Sequence, residues 1–401
     1  MKRQMLLGAL FLSLATGKWG AYIGIDQLGI HLIDTLFFLG LFKIDYLRNL
    51  NLSSLILFLF IATQIFIAKS NDYEFQTYMR DLLPFIYLFF VPLIARSADY
   101  ISTETILRIL KGAALINAAW SLPAFLGLLP PVSCSMICGV PLFTERSDQS
   151  GIACAIGILA WGLDNKARTT SRIFSIMFLV IAIALNQSRA GLLSVGMALF
   201  VVLYFSLRNT GSTYFFNFLK LLIVSVVTIS TVTLGANLIS LKVSEGSALS
   251  RLIGADYTGE INANARGTVQ ARFAAQSLLL NWTHEKYGLL LGAGAGTEMV
   301  ANSGSFQYLS GALDVRAPHS WWVNCISRFG LLGMTLWLIS IRMLFMPRFF
   351  QTSDLTRVLS FACLCLLVAA TFGVLIESPF GSLPLAILLG ILKSKNADKT
   401  L

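Results

Sequence analysis

The sequence is short of charged side chains. Asp, Glu, Lys and Arg make up 12% of its 401 residues, against roughly 25% in a soluble globular chain. Hydrophobic residues make up 56%, and the mean hydropathy is +0.73. Apolar runs of roughly 20 residues recur along the chain, each long enough to cross a bilayer as a helix. These features exclude a soluble globular domain and predict an all-α polytopic membrane protein.

Residues that bind metals are also scarce. The three histidines, His31, His284 and His319, lie far apart in the sequence and so predict no metal-binding cluster. The six cysteines show no Cys/His spacing typical of zinc. Cys134 and Cys138 lie on the predicted outer side, and the sequence leaves open whether they form a disulfide. No nucleophile elbow of the Gly-x-Ser-x-Gly kind is present.

Basic residues outnumber acidic ones by 30 to 20, which gives a formal net charge of +10. In a soluble protein this excess would suggest binding to nucleic acid. In a membrane protein most of it follows from the positive-inside rule, which places Lys and Arg in cytoplasmic loops. We therefore predict no nucleic-acid partner.

The apolar runs predict about twelve spans of roughly 20 residues each. The predicted organisation is a bundle of about nine spans over residues 1–240, a long outer segment over 241–318, and further spans with a short cytoplasmic tail over 319–401. The runs lie near residues 5–20, 28–44, 51–68, 82–96, 105–128, 149–163, 173–187, 190–207, 218–240, 320–345, 357–376 and 379–394.

The basic residues orient these spans. With the N terminus inside and the sides alternating, every short inside loop is basic, whereas the short outside loops carry few basic residues. The inside loops hold Lys2, Arg3, Lys43, Arg48, Arg96, Arg108, Lys111, Lys166, Arg168, Arg172, Arg208, Lys220, Arg342, Arg348, Arg357, Lys393, Lys395 and Lys399. The short outside loops hold Lys18, Lys69, Arg80, Arg146 and Arg189.

The outer segment 241–318 is too polar to span, and loops of this length are usually functional or disordered. Within it, residues 268–281 have a helical pattern that predicts an amphipathic helix on the bundle or at the membrane surface. The predicted apolar face consists of Val269, Phe273, Ala274, Ser277 and Leu278. Arg272 is then interpreted as a solvated residue of this helix.

Arg189 is the clearest single candidate for a site, because it lies between two spans on the outer side with no carboxylate close in sequence. A snorkelling arginine that binds lipid headgroups is one interpretation. The other is a guanidinium that faces the bundle interior and binds an anion through two hydrogen bonds. Arg266 and Arg316 are further candidates from the outer segment. The outer carboxylates are Glu145, Asp148, Asp314 and Glu377, the last in a turn that favours a plain loop residue.

His319 lies where the outer segment meets the apolar run that continues to Phe345. At such a junction a modest shift brings an imidazole pKa near neutrality, as a proton acceptor requires. The alternative is an interfacial histidine beside Trp321 and Trp322, since aromatic residues collect at membrane surfaces. Arginines that hold a pyrophosphate, together with a histidine that takes a proton from a hydroxyl, suit sugar transfer from a lipid-linked pyrophosphate.

The order and spacing of these residues resemble the O-antigen ligase and O-antigen polymerase superfamily of bacterial envelope enzymes. The resemblance covers about residues 186–342 together with the overall number of spans. It rests on Asn186-Gln187-Ser188-Arg189-Ala190-Gly191-Leu192, on Arg266, on the turn Gly292-Ala293-Gly294, and on His319-Ser320 followed by Gly330 and Gly333.

The resemblance implies a GT-C-like helical architecture in the bacterial inner membrane, with the long outer segment on the periplasmic side. It implies glycan transfer from an undecaprenyl-pyrophosphate carrier, with inversion and with no metal or cofactor. Arg189 and Arg266 would bind the pyrophosphate, Arg316 is carried over less directly, and His319 would activate the acceptor hydroxyl. The acceptor is the lipid A core in the ligases and a second lipid-linked glycan in the polymerases, and the His319-Ser320 spacing favours a ligase.

Two other classes remain open at this point. A transporter or flippase for lipid-linked sugars would be expected to show paired repeats and charges near the bilayer centre. We find no convincing repeat, and the charges gather at one face. A non-catalytic envelope scaffold would leave Arg189 and His319 without a role.

Overall fold

The protein is described by a computed structural model that covers residues 2–25, 30–41, 52–134, 139–186, 188–210, 269–309, 311, 315–345 and 353–397. These residues are almost entirely helical, which confirms the predicted helical class. The sheet in the described residues is one antiparallel pair of two-residue strands, β1 (Gly24–Ile25) and β2 (Ile30–His31). The helices are α1 (Lys2–Ala21), α2 (Leu32–Leu41), α3 (Leu52–Ser70), α4 (Phe75–Phe89), α5 (Val91–Ala98), α6 (Thr103–Phe125), α7 (Ser147–Gly162), α8 (Thr169–Asn186), α9 (Arg189–Thr210), α10 (Val269–Lys286), α11 (Met299–Asn302), α12 (Phe306–Leu309), α13 (Trp321–Ile341), α14 (Asp354–Phe372) and α15 (Pro379–Ala397).

Helices occupy every predicted apolar run except 218–240, which lies outside the described residues. Four of them are long and apolar enough to cross a membrane by length and composition: Leu52–Ser70, Thr169–Asn186, Trp321–Leu344 and Asp354–Phe372. A fifth is added if α4 and α5, bent by 44° at their junction, form one span. The protein is therefore a helical membrane protein, and the total of about twelve spans stays a prediction.

The helix α7 is the centre of the bundle, and it packs against α6, α8, α9 and α14. Almost every residue of α7 is buried, because its sequence is rich in Gly and Ala, which let neighbouring helices approach closely. At Gly157 an added Cβ would lie 2.4 Å from the Ala114 side chain, and at Gly162 it would lie 2.4 Å from Val202. These glycines therefore set the spacing between α7 and its neighbours α6 and α9.

The predicted amphipathic helix of the outer segment is present as α10, but the face predicted to be apolar is not the one that packs against the rest of the protein. Phe273 is 62% exposed, whereas Ala275 and Leu279 are fully buried. The buried residues pack with α11 and α12 in a small cluster of their own. The prediction placed the largest apolar side chains on the buried face. Instead, small and medium side chains of α10 form the narrow stripe that contacts α11 and α12.

The loops that the charge pattern predicts on the inner side contact one another. Lys111 forms an ion pair with Asp164, Asn165 donates to Asp354 at 2.8 Å, and Ser394 contacts Asp99 at 2.8 Å. The residues predicted on the outer side meet at the other end, where His319 interacts electrostatically with Arg146 and Arg272. The two groups of loops that the charge pattern distinguishes thus lie at two different ends of the bundle.

Labelling with an impermeant thiol reagent in intact cells tests which end faces outward. We expect a cysteine at Glu298, which is exposed in the outer segment, to react before lysis. A cysteine at the exposed Glu104 should react only after lysis, and it is the matched control. Both are made in a Cys134→Ser, Cys138→Ser background, since Cys134 is a free thiol and Cys138 lies outside the described residues. The reverse labelling order would show that the protein has the opposite orientation in the membrane.

A candidate active site at one end of the bundle

His319 lies in the irregular connection that leads into α13. Its φ of 56° falls in the left-handed region, which is uncommon for residues other than glycine and often marks a constrained functional position. Gln276 of α10 donates a hydrogen bond of 3.4 Å to the carbonyl of Pro318. The next residue, Ser320, is extended and precedes the first turn of α13. The backbone therefore turns sharply at His319, and α10 holds it at the preceding residue.

Two arginines and one carboxylate surround His319. Burial lowers the pKa of His319 to about 4, with further lowering by Arg272 and Arg146 and an opposing effect of Asp148. This value lies well below the near-neutral pKa expected from the sequence, because burial and two arginines all disfavour the imidazolium. The imidazole is consequently neutral near pH 7, the protonation state that can accept a proton. The structure thus brings together His319 and three residues that the sequence treats separately.

Arg272 lies partly buried beside His319, so its interpretation as a solvated helix residue is wrong. Its guanidinium donates a hydrogen bond of 3.0 Å to the carbonyl of Phe372, the last residue of α14. Among the described residues it forms no ion pair, and its Nε is buried without a hydrogen-bond partner. Most of the hydrogen-bonding capacity of the Arg272 guanidinium is therefore available to an anion.

Arg146 and Asp148 lie at the start of α7 and hold each other by two hydrogen bonds, Nε to Oδ1 at 2.8 Å and Nη2 to Oδ2 at 3.0 Å. The Arg146 guanidinium also lies over the Phe380 ring, 5.3 Å from its centroid. This arrangement links the first turn of α7 to the first turn of α15. It fixes the orientation of one basic side chain that faces His319.

Arg189 begins α9, close to the same end of α7. An added Cβ at Gly151 would lie 2.2 Å from the Cα of Gly191, so the two helices touch through glycines. The Ser188 hydroxyl accepts a hydrogen bond of 3.0 Å from the backbone N–H of Gly191. The signature around Arg189 thus brings the start of α9 against Gly151 of α7, three residues after Asp148. Arg266 lies outside the described residues.

Arg316, a predicted pyrophosphate ligand, is held by side chains of α4. It donates to Thr77 at 3.1 Å and to Asp81 at 3.4 Å. Arg328 of α13 forms a closer ion pair with the same carboxylate, at 2.6 Å, and donates to the carbonyl of Thr297 at 2.9 Å. Sequence reasoning missed Arg328, although a single arginine inside an apolar span is a recognisable signal.

Two further carboxyl groups are buried near these arginines. Burial raises the pKa of Glu377 to about 8, against opposing effects of Arg328 and Arg80. Burial also raises the pKa of Glu145 to about 7, against a hydrogen bond with Asn186. The interpretation of Glu377 as a plain loop residue is wrong, because only 9% of it is exposed and its Oε1 has no hydrogen-bond partner among the described residues.

This end of the bundle carries an excess of positive charge. Six basic side chains and four carboxyl groups lie there, and two of the carboxyl groups have raised pKa values. Each of these ten groups interacts electrostatically with at least one other charged group of the site. The basic residues are Lys18, Arg80, Arg146, Arg272, Arg316 and Arg328, and the carboxyl groups are Asp81, Glu145, Asp148 and Glu377. Such a site attracts an anion with several negative charges. In the part of the chain that the structure describes, no three His, Cys, Asp or Glu residues are grouped as a metal site.

Residues 173–338 match a family model described as O-Antigen ligase. The match confirms the resemblance to the O-antigen ligase and polymerase superfamily. It includes Arg189, His319 and Arg328 but neither Arg146 nor Asp148, so the site also uses helices outside the matched segment. No curated protein matches the chain.

Proposed function

We propose that this protein, whose residues 173–338 match a family model described as O-Antigen ligase, is a membrane glycosyltransferase that moves a glycan from undecaprenyl pyrophosphate to an acceptor hydroxyl. The observation that carries the proposal is the neutral imidazole of His319 beside Arg272 and Arg146, at an end of the bundle with excess positive charge. A pyrophosphate donor and a hydroxyl nucleophile require this combination of an anion site and a base.

In the proposed reaction the acceptor oxygen attacks the anomeric carbon of the donor sugar. The bond from that carbon to the pyrophosphate oxygen breaks, and both electrons leave with the lipid pyrophosphate. His319 takes the proton of the acceptor hydroxyl. Guanidinium groups, rather than a metal, stabilise the charge that develops on the leaving group, since prepositioned donors do this at low energetic cost. Attack opposite to the leaving group inverts the anomeric centre.

The low pKa of His319 fits a base that becomes active only when the donor is bound. Without an anion, Arg272 and Arg146 both disfavour the imidazolium. A pyrophosphate between these groups would offset their positive field and raise the pKa of His319 toward neutrality. The base would then be strongest in the complex that contains the substrate.

We propose that Arg189 and Arg266 bind the pyrophosphate directly, as the resemblance implies. The contact between α7 and α9 at Gly151 and Gly191 supports Arg189 in this role, because it brings the start of α9 near Asp148. For Arg316 we propose a supporting contribution. Its ion pair with Asp81 fixes it in place, and its charge adds to the positive field of the site.

Deletion of the gene followed by gel analysis of lipopolysaccharide tests the function. We propose the ligase reaction, with the lipid A core as acceptor at the periplasmic face of the inner membrane, on the His319-Ser320 spacing. Complete loss of capped core is therefore expected. A cap of a single repeat would instead identify a polymerase, and an unchanged pattern would contradict both assignments.

A further inference from the structure

A polar cavity lies at the opposite end of the bundle from His319. It encloses about 210 Å³ between α3, α4, α5, α13 and α15, close to the 3-10 turn Arg342–Phe345. Its polar lining consists of the three serines Ser53, Ser54 and Ser340 and the two basic residues Arg342 and Lys393. This volume is well above the roughly 30 Å³ that one water molecule takes up in the liquid, so the cavity has room for a phosphate group.

The two basic side chains of this cavity repel each other. Arg342 acts electrostatically on Lys393, and neither forms an ion pair with a carboxylate of the described residues. Two like charges that share a partly enclosed space are unfavourable unless an anion lies between them. Arg342 and Lys393 also belong to the predicted inner loops, where anionic lipid headgroups attract Lys and Arg.

The remaining walls are apolar. Leu57, Leu88 and Val91 line the cavity, and the residues on either side of Leu57 in α3, Ile56 and Phe58, are 41% and 52% exposed. α3 is also one of the helices able to cross a membrane. An acyl chain attached to a group in the cavity can therefore follow the exposed surface of α3 into the bilayer.

We propose that this cavity binds the phosphate headgroup of an anionic phospholipid, with Arg342 and Lys393 on the phosphate and the serine hydroxyls on the headgroup alcohol. Charge complementarity selects the phosphate, and the apolar surface of α3 selects a lipid over a free anion. The site lies at the other end from the reaction centre, so the proposal does not depend on the proposed glycan transfer.

Binding to the purified full chain in detergent tests the proposal, with thermal unfolding as the readout. Phosphatidylglycerol should raise the unfolding temperature saturably, whereas phosphatidylcholine and inorganic phosphate at equal concentration should not. In the Arg342→Gln, Lys393→Gln double variant the apparent Kd for phosphatidylglycerol should rise roughly 10- to 30-fold, as expected for two basic residues near a membrane surface. Lys395→Gln is the matched control, because its amine contacts the carbonyl of Asp99 outside the cavity.

Three results would overturn the proposal. Equal binding of phosphatidylcholine would show that charge does not select the ligand, and equal protection by inorganic phosphate would identify a free-anion site. Unchanged phosphatidylglycerol binding in the double variant would remove Arg342 and Lys393 from the site. If the double variant does not fold, the single Arg342→Gln variant, altered at an exposed residue, provides the comparison.

Discussion

Replacement of His319 by asparagine is expected to slow glycan transfer roughly 100- to 10,000-fold, the range that a positioned general base contributes. Asparagine is a better test than alanine, because His319 has a φ of 56° and asparagine adopts this left-handed conformation more readily. The measurement is turnover of a lipid-linked glycan donor by the purified protein in vesicles. His284→Asn is the matched control, since His284 is exposed near the end of α10 and should keep wild-type turnover.

The pH dependence of the rate distinguishes a base from a structural histidine. The acid limb of kcat/KM, which reports the free enzyme, should lie near the pKa of about 4 that burial, Arg272 and Arg146 produce for His319. The acid limb of kcat should lie at higher pH, because the bound anion offsets the arginines. An acid limb that survives in His319→Asn, or wild-type turnover in that variant, would contradict the role.

The same pKa has a consequence for stability. The folded-state pKa of about 4 lies below the value of about 6.5 for an unperturbed histidine. The unfolded chain therefore binds this proton more readily than the folded protein does. Stability from the neutral imidazole is fully present above about pH 6.5 and is lost as the pH falls toward 4.

The helices and the grouping of the loops could be predicted from the sequence because both depend on local properties. Apolar runs of sufficient length become helices in a bilayer wherever they occur, since their backbone groups must be paired internally. The alternation of basic loops likewise needs no knowledge of packing. Lys111, which counting assigns to the inner side, indeed forms an ion pair with Asp164, two residues before Lys166 of another inner loop.

The partners of His319 could not be predicted in the same way, because they come from distant parts of the chain. Arg146 precedes α7, and Arg272 lies on a helix whose buried face the apolar pattern did not identify. In α10 the exposed residue Phe273 is larger than the buried Ala275, so hydrophobicity alone gives the wrong orientation. The burial of Glu377 could not be predicted for the same reason, since nothing in the local sequence distinguishes a buried turn from an exposed one.

The assignment of Arg316 shows a related limit. Its position three residues before His319 favours a role in the site, yet its side chain turns toward Asp81 of α4, 235 residues away in sequence. Arg328 reaches the same carboxylate across 247 residues. Proximity in sequence to His319 could not reveal the partner of either arginine, because that partner is a carboxylate that α4 supplies.

Replacement of Asp81 by alanine is expected to destabilise the protein by about 3 kcal/mol, because it leaves a buried charge unpaired. The Arg328 side chain is 2% exposed and Asp81 is 8% exposed, and their atoms lie 2.6 Å apart. Asp81 also accepts a hydrogen bond of 2.9 Å from the backbone N–H of Gly296. One carboxylate thus connects α4, α13 and the backbone at Gly296. The measurement is the free energy of unfolding in a detergent–denaturant titration.

The exposed pair of Arg108 and Glu104, 76% and 80% exposed, is the matched control. Glu104→Ala removes a carboxylate at similar geometry and should cost less than about 1 kcal/mol, since water already solvates both charges. Addition of Arg328→Met to Asp81→Ala should recover part of the lost stability, because the more deeply buried of the two arginine charges that Asp81 pairs is then removed, and only Arg316, 23% exposed, has lost its carboxylate. Equal losses for the two alanine variants, or a further loss on adding Arg328→Met, would show that charge pairing is not what Asp81 contributes.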